Sequence, residues 1–346
     1  MTRSPVFWFR TVILLAIIAL LSQVSSIYLP VILALVLVFI LNPVVEWCCA
    51  LPRLIGKGDL PRPAGILLAF GVTAVGLFTM AAFILLPFIR EFNEFVVDLP
   101  RLMKKLQFLI TGLQQQVSLI EIPENVRNLV NQGIAKATAL SVDLAQRIVN
   151  AVFSFASQVV ELVVVPVLAY YLLKDWRSLH SGFINAFSPS VRDDLRQILD
   201  NMGRVISGYI QGQLVISLIM GGIVFVGMVA MGVSYPLVLG LLAALTETIP
   251  VVGPVIGAVP AIVLAFLISP ELAVKVIVFY VVIQQIENHL IVPKIMGQSI
   301  DLHPILVVVS LLVGASLYGV VGMMVAVPVA ALLQVITRHL WYYRER

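Results

Sequence analysis

The sequence predicts an all-α integral membrane protein with about eight apolar membrane segments, two of them broken or re-entrant and related by an internal repeat. Three observations carry this. Of 346 residues, 60% are hydrophobic and only 12% charged, with a mean hydropathy of +1.05. Soluble domains carry about 25% charge, so this chain has more apolar surface than a water-soluble core can bury. Long windows without charge recur, and a helix needs about 20 apolar residues to cross a bilayer. Finally, two apolar stretches, 236–268 and 304–337, are punctuated by Pro and Gly at matching positions.

The first spans are expected near 11–28, 30–46 and 64–88. The opening run, flanked by Arg3 and Arg10, has the charge pattern of a secretory signal. Its apolar character continues past Pro30 to Val45 without an A-x-A-like site, which predicts an uncleaved span. The adjacent Cys48 and Cys49 are the only cysteines and read as small apolar residues rather than a disulfide framework or metal set.

Residues 89–149 are more polar. Val126, Leu129, Val130, Ile134, Ala137 and Leu140 recur at helical spacing, which predicts two amphipathic helices broken near Pro123. This insertion reads as an extracytoplasmic cap or an oligomer contact. A fourth span near 150–173 and a loop to residue 205 follow, then a core of 206–337 with spans near 206–232 and 272–292 and the two broken stretches. Residues 338–346 form a basic tail.

More than half of the 22 Lys and Arg residues fall in four places: Arg3 and Arg10; Arg53, Lys57 and Arg62; five positions from Lys174 to Arg204; and Arg338 to the end. The positive-inside rule puts these segments, and both termini, in the cytoplasm. The net charge of +4 is spread over several loops, which fits anionic lipid and argues against nucleic acid as a partner.

The repeat has an offset of 68 residues. Tyr235-Pro236 aligns with His303-Pro304, and Ala258-Val259-Pro260 with Ala326-Val327-Pro328. Glu247 aligns with Ala315 and Pro254 with Gly322, so only the first copy carries the charge. Broken apolar stretches at corresponding places in two halves are the sequence mark of a transport site. If each stretch is a hairpin, the repeat is inverted; if each crosses fully, it is parallel.

Glu247 lies near the middle of the first stretch, where an ionisable side chain is costly enough to suggest function. Pro250, Pro254 and Pro260 withhold backbone donors, while Gly253 and Gly257 allow positive φ and close approach. Such a break must line protein or a wet cavity, with half-helix starts attracting anions and half-helix ends cations. A second polar cluster runs from Gln284 to Lys294, where helical spacing would put Gln284, Glu287 and Asn288 on one face and Gln285 with His289 on another. Gln211, near the start of the fifth span, is a candidate for the pathway or for an interhelical bond. Glu161 is a weaker candidate, and His303 reads as a loop residue.

No Walker A loop, HExxH, or GxSxG motif occurs in the sequence, so neither enzymatic chemistry nor a cofactor or metal is expected. A small polar solute or a monovalent cation is the expected substrate, with a passive pore or envelope scaffold as a further reading.

The motifs YYLLKDW (170–176), GYIQGQ (208–213), ETIPVVGPVIGAVPA (247–261) and QQIENHLIVPKIMGQS with LHP (284–304) resemble the autoinducer-2 exporter family, the AI-2E or PerM-like permeases. The resemblance covers essentially the whole chain. It implies a bacterial inner-membrane permease of about eight spans and a homo-oligomer. Some members are associated with export of autoinducer-2, others with sodium or lithium efflux coupled to protons. Glu247, Pro250, Gly253, Pro254, Gly257, Gln284, Glu287 and Asn288 are the positions that match the motifs.

Overall fold

The computed structural model describes residues 28–51, 60–118, 132, 164–297 and 302–342. The described residues are overwhelmingly helical and contain no strand. Five helices among them are long and apolar enough to cross a membrane: Pro30–Ala50, Arg62–Ile84, Arg192–Met231, Pro270–Met296 and Pro304–His339. The expected span at 11–28, the break near Pro123, and most of the span at 150–173, including Glu161, lie outside the described residues.

The chain divides into two compact units, one formed by residues up to Val72 with Phe155–Ser188, the other by Thr73–Ser154 with Pro189 onward. In the first unit, α1 (Tyr28–Ala50) packs against α3 (Val164–Asn185) and the start of α2 (Arg62–Ser118). Ala34, Val38, Leu41, Val45 and Cys48 recur along α1 at three- and four-residue steps, which puts them on one stripe facing Ala169 and Leu173. Cys48 is thus a small core residue, as its apolar context predicts. Arg62 Nε donates to the Leu173 carbonyl at 3.1 Å.

Helix α2 runs unbroken through Pro87 and Pro100 to Ser118, well past the expected boundary at residue 88. Neither proline ends the helix.

The second unit is built on α4 (Arg192–Met231), α5 (Pro236–Glu247), α6 (Val252–Ile268) and α7 (Pro270–Ile286). Ile216, Met220, Val224 and Met228 form a four-residue ladder on α4 that is buried against Leu239 and Ala243 of α5, Ala261, Leu264 and Ala265 of α6, and Val276 and Ile283 of α7. Small residues let the backbones close up. A methyl group on Gly221 would lie 2.6 Å from Ala244 Cβ and 2.8 Å from the Gly240 carbonyl, so α4 and α5 touch along their main chains. Gly232, at φ 70°, stops α4, and its N–H and that of Val233 bond back to Met228 in a left-handed cap.

Ser269 starts α7, its side chain accepting from the Leu272 N–H at 3.1 Å, with Pro270 in the first turn. The helix then widens into a π turn over Glu287–Ile291 before the short α8 (Val292–Met296) and the positive-φ Gly297.

Both broken stretches are hairpins. The first is α5, a turn over residues 248–251, and α6. Its limbs of 12 and 17 residues are roughly 18 and 25 Å long, shorter than the hydrocarbon core. They lie so close that a methyl group on Gly253 would collide with the Thr246 carbonyl, and one on Gly257 would sit 2.8 Å from Thr246 Oγ1. The second is α9 (Pro304–Tyr342), which bends at Tyr318 (φ −137°) and Gly319 (φ 58°). A straight helix would separate Gly314 from Gly322 by roughly 12 Å, yet a methyl group on either would strike the other's carbonyl. Pro304–His339 is therefore not a single crossing. The full-crossing alternative fails for both stretches because their limbs fold back on themselves.

Candidate functional site

Glu247 is the last residue of α5 and stands at the tip of the first hairpin, 4% exposed. Glu287, 6% exposed, opens the π turn after α7. Their carboxyl groups lie within hydrogen-bonding reach of each other. Two residues 40 positions apart in sequence thus form one buried acidic pair, and a hydrogen bond between carboxyl groups requires a proton on one of them.

Three side chains from two helices hold the pair. Gln284 Nε2, in the last turn of α7, donates to Glu287 Oε2 at 2.7 Å. Gln213 of α4 reaches the Glu247 carbonyl with its Nε2 at 2.6 Å. Tyr280, one turn before Gln284 on α7, donates its hydroxyl to the Gly257 carbonyl at 3.3 Å, tying α7 to the second limb of the hairpin.

The hairpin tip has little backbone polarity left for a ligand. The Leu245, Thr246, Ile249 and Pro250 carbonyls accept from Thr248, Ile249, Gly253 and Val252 respectively, and the Glu247 carbonyl accepts from Gln213. At the start of α6 the Val252 and Gly253 N–H groups are spent in these bonds, and Pro254 has none. These bonds occupy much of the backbone polarity at the tip. The site's chemistry rests on the two carboxyl groups.

Pro250 and Gly253 make the turn. The Val252 N–H bonds to the Pro250 carbonyl at 2.7 Å, closing a three-residue turn around Val251 at φ 69°, ψ −49°. Pro254 begins the return limb, while Gly253 and Gly257 allow it to approach α5. Asn288 departs from the sequence expectation, since it is exposed while Glu287 is buried. His289 is exposed and its ring nitrogen lies 3.1 Å from the Gln285 carbonyl; Lys294 and His303 are exposed as well. Gln211 bonds to Ser207 on its own helix at 2.9 Å, one turn away. Gln213, two residues later in GYIQGQ, is the glutamine that reaches the hairpin.

Both hairpins contribute to one buried cluster on α4: Ile249 at the first tip shares it with Tyr209 of α4 and with Leu311, Ala326 and Val327 of α9.

The base of the first hairpin is held by residues that its own sequence does not reveal. Glu91 of α2 accepts from the Leu237 and Val238 N–H groups at 2.9 and 3.2 Å, serving as a cap borrowed from another helix. Asp98 accepts from the Tyr235 hydroxyl at 2.7 Å, and Phe95 meets the Tyr235 ring edge-on at 5.3 Å. Burial raises the Glu91 carboxyl above its usual range despite its two N–H donors. Burial, with the bond to Asp98, pushes the Tyr235 phenol up to about 12, so it donates as a neutral group.

Comparison with known proteins gives a match to the sequence profile described as "AI-2E family transporter" over residues 11–341. A Bacillus subtilis relative, "Putative transport protein YueF", is 29% identical over 324 residues, covering 90% of this chain and 83% of that protein. "Putative transport protein MT0215" of Mycobacterium tuberculosis is 31% identical over 336 residues, covering 94% and 86%. The Escherichia coli "Putative permease PerM" is 24% identical over 342 residues, covering 95% and 92%.

Proposed function

We infer the function of this chain from one premise: it belongs to the AI-2E transporter family. It is a multi-pass membrane transporter. We propose that it is a secondary-type exporter of a small polar solute, autoinducer-2 being the candidate the family name offers. Glu247 and Glu287 form its working site, and the two hairpins are the gates on either side. The inner membrane, cytoplasmic termini and homo-oligomeric assembly belong to the same proposal.

One observation carries this reading: a buried carboxyl pair at the tip of a hairpin. Buried charge without a counter-ion is costly, and a proton held between two carboxyl groups removes much of that cost. Releasing the proton as the hairpin moves would leave two adjacent carboxylates, which repel. Proton movement and hairpin movement are then linked, as an exporter driven by an ion gradient requires. The absence of a nucleotide-binding motif in the sequence fits the same energy source.

The carboxyl pair also favours a second reading, a sodium or lithium/proton antiporter, in which the cation replaces the shared proton. Everted vesicles separate the two. Accumulation of autoinducer-2 above an empty-vector control supports solute export, whereas relief of vesicle acidification by sodium or lithium supports antiport. Neither response at any pH would remove both.

A further inference from the structure

Tyr209 is 4% exposed, and its hydroxyl has no hydrogen-bond partner among the described residues. It shares one buried cluster with Ile249 at the tip of the first hairpin and with Leu311, Ala326 and Val327 of the second. The hydroxyl is therefore shut in where both hairpins meet α4. A phenylalanine would give the same packing without the cost of an unmade hydrogen bond, so packing alone does not account for the oxygen.

Ser217, two turns further along α4, also has an unpartnered buried hydroxyl, but its setting differs. Gln213 before it bonds to Glu247, and Gly221 after it packs on Gly240 and Ala244, so Ser217 lies within the contact between α4 and α5. Tyr209 instead faces the seam between the two elements expected to part.

We propose that the Tyr209 hydroxyl is a solute-binding group, which gains its hydrogen bond from a hydroxyl or carbonyl of a small neutral polar solute when the hairpins separate. This rests on the reading of the protein as a solute exporter and adds a contact to its site. A phenol can both donate and accept, which suits a hydroxylated solute. The carboxyl pair stays with the proton, so the two functions fall on different residues about one α4 turn apart: Tyr209, and Gln213 with the Glu247 it binds.

Two measurements decide it without knowledge of the solute. In a background with Cys48→Ser and Cys49→Ser, Tyr209→Cys should react with a small charged methanethiosulfonate reagent in membrane vesicles, while Val224→Cys, in the α4 core at 1% exposure, should not. Equal inertness of the two would overturn the proposal, because no aqueous path then reaches position 209. Tyr209→Phe should melt at or above the wild-type temperature. A clear fall would also overturn it, since the hydroxyl would then have a partner in the closed protein. With autoinducer-2 as probe, Tyr209→Phe should raise the KM for export about tenfold, the scale of one lost hydrogen bond, with little change in maximal rate. An unchanged KM refutes the solute contact. If Glu247→Gln transports normally while Tyr209→Cys is reactive, the carboxyl reading has failed and the Tyr209 contact stands.

Discussion

Val251 and Gly319 lie 68 residues apart, the offset of the sequence repeat, and both hold backbone at positive φ, 69° and 58°. Each is the turning point of its hairpin. Each hairpin is also preceded by a helix that ends in a positive-φ glycine, Gly232 and Gly297, and begins at a proline, Pro236 and Pro304. The duplication is therefore one of chain path as well as of composition. The two copies meet the demand of the turn differently, since only the second uses a residue free to adopt it.

Val251 is β-branched, and its conformation is one that side chains of this kind rarely take. Val251→Gly should therefore stabilise the protein by about 1–3 kcal/mol, and Gly319→Val should destabilise it by a similar amount. Thermal melting in detergent checks both. Unchanged melting of Val251→Gly would show that the turn is not strained.

Gly253 and Gly257 should differ in their tolerance of alanine. A methyl group at Gly253 meets the Thr246 backbone, which cannot step aside, whereas at Gly257 it meets the rotatable Thr246 Oγ1. Gly253→Ala should cost about 2 kcal/mol or more, the scale of overpacking a tight core, and Gly257→Ala less. The same melting series reads the order, and equal effects would contradict the packing described.

The borrowed cap gives a test that depends on pH. Glu91 has a folded carboxyl pKa above its unfolded value, so the protonated form is favoured by folding. Its contribution is fully present below the unfolded value and declines as pH rises through the folded one, that is, above about pH 4.3. The wild-type melting temperature should thus fall relative to Glu91→Gln as pH rises through that window. Glu91→Ala should cost about 0.5–2 kcal/mol, as for a lost helix cap. A pH profile parallel to that of Glu91→Gln would show that Glu91 does not titrate in this setting.

The two glutamines of GYIQGQ give a contrast within one motif. Gln213→Ala removes the bond to the Glu247 carbonyl at the hairpin tip and should reduce transport, with a stability loss of about 1 kcal/mol. Gln211→Ala loses the bond to Ser207 on its own helix and should reduce transport less. Flux through matched proteoliposomes compares them; a reversed order would place the site on the other face of α4.

Much of this arrangement is legible in the sequence because its causes are local. Charge-free runs mark the spans, and Pro and Gly at equal offsets mark the two breaks. Glu247 stands out as a lone charge in an apolar stretch. Other features depend on what folds against what. The turn falls at Val251, not at the neighbouring glycine, because Gly253 is needed for close approach to Thr246. Glu287 is buried and its neighbour Asn288 exposed, and no residue pattern in QQIENH announces which of the two turns inward. Gln211 and Gln213 are both polar residues near the start of one span, and only the position of α5 decides between them. Glu91, Phe95 and Asp98 share a face at steps of four and three, which could have marked a contact surface. Their target nearly 140 residues later could not be read from the pattern.

The central claim is that the Glu247–Glu287 pair is where proton binding and transport meet. Its most direct test is gradient-driven export in proteoliposomes by wild type, Glu247→Gln and Glu287→Gln, with folding of each checked by its melting temperature. Both variants should fold, and both should lose gradient-driven transport. Folded variants that transport at the wild-type rate would contradict it.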